Sequence, residues 1–171
     1  MKFMSFIAAG ALAVSGTALA QAGPTDAQIA HIVVTANQVD IDAGKVAQSK
    51  AKSPEVKAFG KQMVTDHSGV NKQATALVTK LGVKPEDNPT SQSLKQGGVD
   101  NVKKLNTLKG AEFDKAYVEH EVAYHQAVLD AIDKTLLPNA KNAELKALIE
   151  KVRPNIKAHL DHAKHMQASL K

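Results

Sequence analysis

One histidine stands in the apolar seam of a long helical pattern. Val56, Gly60, Met63, His67, Val70, Ala74, Leu77 and Leu81 recur at alternating steps of four and three, and His67 is the single ionisable member. Three further seams repeat the arrangement. Ile29, Val33, Ala36, Asp40, Ala43 and Ala47 carry Asp40; Val118, Val122, His125, Leu129, Ile132 and Leu136 carry His125, with Glu121 one turn before it. The last seam, Leu145, Ile149, Val152, Ile156, His159, Ala163, Met166 and Leu170, carries His159. Burying a histidine without a partner costs on the order of 1–3 kcal/mol, so four such positions call for a hydrogen-bonded network or an ion. Imidazole with carboxylate suits Zn, Fe, Cu or Ni. His67, His125, His159, Asp40 and Glu121 are the candidate metal ligands, with Asp66, His162 and Tyr117 as further members of a buried network.

A core hydrogen bond that fixes helix register explains the same residues without any ion. Two observations favour that reading. The Glu-x-x-His motif of di-iron bundles occurs nowhere in the chain. Depths along the helices also match only loosely. Counted from the link between the first two helices, Asp40 lies about 12 residues away and His67 about 16, an offset of roughly 6 Å at the helical rise. From the link before the last helix, His125 and His159 lie about 14 and 20 residues away, roughly 8 Å apart by the same rise.

Other chemistry is sparse. His159, His162 and His165 form H-x-x-H-x-x-H, whose successive members are neighbours on a helix and can chelate a surface metal. His31 and His120 fall off the seams and read as surface residues. There is no G-x-S-x-G elbow and no glycine-rich phosphate loop. A b-type haem between His67 or His125 and Met63 or Met166 would lack aromatic lining, because the whole chain holds two Tyr and four Phe.

The elements that must position these groups are helices. Thr25 and Gln28 form a capping box for a helix running to about residue 50. Ser53-Pro54-Glu55 starts a second, with Ser as N-cap and Pro at the first helical position, ending at Gly82. The short link makes the two antiparallel neighbours. Residues 83–110 read as a crossover holding a shorter helix, capped by Thr90 or Ser91 and interrupted at Gly97-Gly98. A third long helix covers residues 111–137, stopped by Pro138-Asn139. Asn142 caps the fourth, which Pro154 should kink. The pattern predicts an all-α antiparallel four-helix bundle with an extra helix in the crossover between the second and third long helices.

At 171 residues and 43% hydrophobic content, the chain is one domain with a core of its own. Residues 1–20 read as a cleaved secretory leader: a basic start at Lys2, an apolar stretch over residues 3–14, and Ala18-Leu19-Ala20 as the cleavage site. A second A-x-A moves the alternative cut to residue 22. The mature domain spans residues 25–171, exported to the periplasm or cell envelope, with no membrane anchor after cleavage. No cysteine is present, so disulfides, lipoprotein anchors, thiolate metal sites and covalently attached haem are excluded. The formal charge of +5 becomes +4 without Lys2, spread among acids along the helices. No aromatic-plus-basic platform points to nucleic acid, whereas peripheral contact with an anionic envelope surface fits.

Asp40 followed by Ala43-Gly44-Lys45-Val46-Ala47, Phe59-x-x-x-Met63-x-x-Asp66-His67, Phe113-Asp114-x-x-Tyr117 before His125, and Pro154-x-x-x-x-His159-Leu160 together resemble the bacterial domain of unknown function 4142 family. The resemblance covers nearly the whole mature chain. It implies a ferritin-like helical bundle of the envelope whose biochemical activity is not established. The chain departs from the family pattern in two places, with Asp40 where Glu is usual and Arg153 where Leu precedes the proline. The shorter Asp40 weakens the first helix as a source of a fourth ligand. The outer-membrane label the family often carries finds no barrel-strand pattern here.

The first functional reading is therefore a non-enzymatic, stress-related or binding module of the envelope with a buried His and carboxylate network. The alternative is a ferritin-like metal-binding protein with the His-rich site in its core. A third reading is a pH-responsive protein that opens when the buried histidines protonate. Partner and substrate are not legible.

Overall fold

A computed structural model describes residues 23–170, so the expected leader lies outside the described residues. Among the described residues all regular structure is helical. α1 is Asp26–Lys50, α2 Pro54–Lys80, α3 Pro89–Thr107 and α4 Gly110–Ala131. A π-helical turn over Ile132–Leu136 follows, then a single turn, α5, Leu137–Asn139, and finally α6, Ala143–Ser169.

The starts follow the local chemistry. Thr25 and Gln28 make the expected reciprocal capping box. Ser53 accepts from the Val56 amide with Pro54 in the first turn, and Asn142 accepts from the amides of Glu144 and Leu145. Gly82, at φ 63°, takes the left-handed position after Leu81.

The crossover helix corrects the sequence reading. It runs for 19 residues, and its N-cap is Asn88, whose side chain accepts from the Ser91 amide, rather than Thr90 or Ser91. Pro89 belongs inside the helix because its fixed φ and missing amide suit the first position. The helix also passes through Gly97-Gly98 without a break. At Gly98 a Cβ would come within 2.8 Å of Val39 Cγ2, so the glycine lets α3 lie close against α1. Likewise, the third long helix does not stop sharply at Pro138. It loosens into the π turn first, where the Leu137 amide bonds back to the Ile132 carbonyl.

α1 packs on α2, α2 on α6, α6 on α4, and α4 on α1, with α3 laid outside on α1. α1 and α2 approach closely at Gly44 and Gly60, where a Cβ on Gly60 would meet the Gly44 carbonyl at 2.9 Å and the Ala47 Cβ at 2.7 Å. Two carboxylate-to-backbone clamps fix the ends. Asp114 accepts from the amides of Lys52 and Ser53 in the α1–α2 link, and Asp26 accepts from those of Lys141 and Asn142 before α6. No helix among the described residues is long and apolar enough to cross a membrane.

The apolar core is divided. One half gathers Ile29, Val33, Val70, Leu129, Ile149 and Ile156; the other gathers Ala47, Phe59, Met63, Phe113, Tyr117 and Met166. On all four helices of the ring the seam ionisable groups fall between these halves, forming one polar layer across the bundle.

Candidate metal centre

In that layer the three seam histidines meet. The His67 and His159 rings lie 5.3 Å apart between centroids, His125 and His159 5.5 Å, and His67 and His125 5.7 Å. All three are 3% exposed or less. The depth offset counted along the sequence is absorbed.

Each imidazole is held by one nitrogen and leaves the other unpaired. His67 Nδ1 lies 2.7 Å from Asn37 Oδ1, His125 Nδ1 lies 3.0 Å from the Glu121 carbonyl oxygen, and His159 Nε2 lies 2.9 Å from Asp66 Oδ2. An oxygen that can only accept fixes the proton on the nitrogen facing it. His67 Nε2, His125 Nε2 and His159 Nδ1 are left buried without a hydrogen-bond partner. They are therefore lone pairs, and one nitrogen from each ring lies within 4.8 Å of one from the others.

Two carboxylates complete the layer. Asp40 and Glu121, 2% and 0% exposed, form a second group with His125 whose donor atoms again lie within 4.8 Å of one another. Asp40 Oδ2 is 3.4 Å from His67 Nε2, and Glu121 Oε2 is 3.4 Å from His125 Nδ1. Asp40 Oδ1 and both carboxyl oxygens of Glu121 have no hydrogen-bond partner. Buried polar atoms in native proteins are almost always satisfied, by protein, water or an ion. Here the unsatisfied atoms are nearly all electron-pair donors.

The electrostatics agree. Burial drives His67 down to about 2, helped by the neighbouring His125 and His159. Burial likewise lowers His125, against the opposing pull of Glu121. Asp40 is raised well above the carboxylate range by burial and by the adjacent Glu121. His67 and His125 are thus kept neutral, the protonation state that binds metal.

The remaining sequence candidates divide. Asp66 is a true neighbour, half-buried and bonded to His159. Tyr117 is fully buried, with burial first and then Glu121 and Asp40 raising its hydroxyl well above the usual range. His162 lies outside the buried layer. It is 41% exposed, edge-on to Phe59 at 5.1 Å and 3.8 Å from Glu55. Nor are His31 and His120 plain surface residues. His31 sits 3.7 Å from Asp87, and His120 stacks on Tyr124 at 5.5 Å. Met63 and Met166 are buried in the apolar half beside the layer.

Sequence reading missed Asn37 and Tyr124. Asn37 is buried and donates to the Val33 carbonyl while facing His67. Its signal was spacing: it lies four residues after Val33 and three before Asp40, an alternative step of the same seam. Tyr124 donates to the Ala36 carbonyl at 3.0 Å and stands edge-on to His125.

Residues 11–166 match the family model described as domain of unknown function (DUF4142). Among solved structures, the chain is similar to "putative secreted protein DUF305 from Streptomyces coelicolor", with a TM-score of 0.68 at 10% identity, covering 84% of this chain and 91% of that one. At that identity the likeness concerns the helical fold alone. No curated protein matches the chain.

Proposed function

The chain belongs to the DUF4142 family, and we propose that it is an exported metal-binding protein that holds one divalent transition ion between His67, His125, His159, Asp40 and Glu121. The observation that carries this reading is the set of three buried imidazole lone pairs, each made available by an acceptor on the ring's other nitrogen. Such outer partners orient metal-ligating histidines and fix their tautomer. Three neutral nitrogens and two carboxylates suit Zn, Fe, Ni or Cu, and a dication balances the two carboxylate charges. When bound, the ion supplies Lewis acidity and, if Fe or Cu, a redox couple.

The protein's own part is retention. Apolar packing on both sides of the layer excludes water; the chain has no cysteine, and among the described residues Ser91 of α3 is the one buried serine or threonine. This favours a stress-related holding or buffering role over turnover. We read α1, α2, α4 and α6 as a ferritin-like four-helix bundle that carries its ligands on motifs other than Glu-x-x-His. The leader pattern of residues 1–20 places it in the periplasm or envelope, in keeping with the secreted description of its DUF305 neighbour. The net positive charge of the mature chain suits peripheral contact with anionic envelope surfaces.

A purely structural network is the second reading, favoured by the Asn37–His67 and Asp66–His159 bonds, which stand without any ion. Titration of the metal-free protein with Co²⁺ separates the two. Metal binding predicts visible d–d absorption that saturates at one equivalent, with unfolding stability raised by about 3 kcal/mol at a hundredfold excess over Kd. His125→Ala should abolish both effects. No absorption and no stabilisation in the wild type would leave the network reading.

A further inference from the structure

The polar layer is closed along the bundle axis by the two apolar half-cores, so an ion can reach it only from the side. The three acceptors that hold the imidazoles differ in their access to water. Asn37 is 6% exposed, and the Glu121 carbonyl belongs to a fully buried residue. Asp66, on α2, has a side chain 38% exposed, and its Oδ2 faces His159 of α6. His159 thus has one nitrogen turned into the cluster and the other on a carboxylate that touches solvent.

We infer that the Asp66–His159 pair, in the seam between α2 and α6, is the entrance through which the ion reaches and leaves the buried cluster. The inference rests on the metal reading above. Asp66 attracts a hydrated cation and replaces part of its water shell. His159 bridges this outer carboxylate and the inner His67 and His125. Another solvent-reaching group beside the ligands is His120, 24% exposed and 3.9 Å from Glu121 Oε1. That side is covered by its stacking on Tyr124, whose hydroxyl is tied to the Ala36 carbonyl.

Gly69 offers a test that touches neither a ligand nor Asp66. It is exposed, one turn after Asp66, and a Cβ there meets nothing within 4 Å. Helical side chains lean back over the preceding turn, so Gly69→Phe covers Asp66. Stopped-flow absorption with Co²⁺ gives the loading rate, and EDTA competition gives release. Gly69→Phe should slow both by the same factor, about tenfold for a modest added barrier, with the Co²⁺ affinity unchanged. Gly69→Lys should slow loading in a way that added salt relieves, while Gly69→Ala matches wild type. Wild-type rates in Gly69→Phe and Gly69→Lys would overturn the entrance while leaving the binding site standing. Failure of the wild type to take up Co²⁺ would overturn the metal reading, and this inference with it.

Discussion

His125 belongs to both groups of donor atoms in the polar layer, one with His67 and His159, the other with Asp40 and Glu121. It is also held rigidly, through Nδ1, by the backbone of its own helix one turn earlier. The metal-free layer should make stability depend on pH. Folded His67 and His125 resist protonation, whereas unfolded they take up protons below about 6.5, so stability falls as pH drops through that value. Asp40 acts in reverse. Its folded value is raised, so it costs stability as pH rises above 3.8 towards that folded value. Two histidines outweigh one aspartate, and the net change in metal-free protein is a loss towards acid. Each proton is worth on the order of 1 kcal/mol per pH unit. Urea midpoints between pH 7.5 and 5 should therefore fall in wild type and stay nearly level in His67→Leu. Equal slopes in the two proteins would contradict the assignment. Sequence alone located Asp40, His67, His125 and His159, because an ionisable residue breaks an apolar period visibly. Asn37 escaped because an asparagine on an adjacent step of the seam looks like any polar helical residue.

Helix starts were legible where capping residues and proline occur together, as at Thr25, Ser53 and Asn142. Asn88 was misread because its capping role depends on counting Pro89 as helical. Glycines carried less information than they hold. Gly97-Gly98 reads as a break in sequence, yet Gly98 is a contact point, and only the neighbouring helix reveals that. The same contrast yields a prediction in α2. Gly60→Ala meets backbone and Ala47 at under 3 Å, so overpacking of about 1–3 kcal/mol should outweigh the gain in helix propensity. Gly69→Ala meets nothing, so it should stabilise by about 1 kcal/mol through propensity alone. Thermal melts of the two variants should move in opposite directions; a stabilised Gly60→Ala would show that the α1–α2 crossing is looser than described.

The whole molecule is two apolar half-cores with a polar layer between them, a division that periodicity could not show because each seam was read on its own. Convergence of the four seams depends on how the links set the helices against one another, and residue counting at a uniform rise misses that. A bundle that gives up the middle of its core to unpaired imidazole and carboxylate atoms loses stability unless something binds there. The most direct measurement is the metal content of the protein, purified without a His tag from the cells that make it, beside a His67→Ala/His125→Ala double variant. One equivalent of a divalent transition metal in the native protein, absent from the folded double variant, is the predicted result. No metal in either, with the variant differing only in stability, would contradict it and leave the histidines as core architecture.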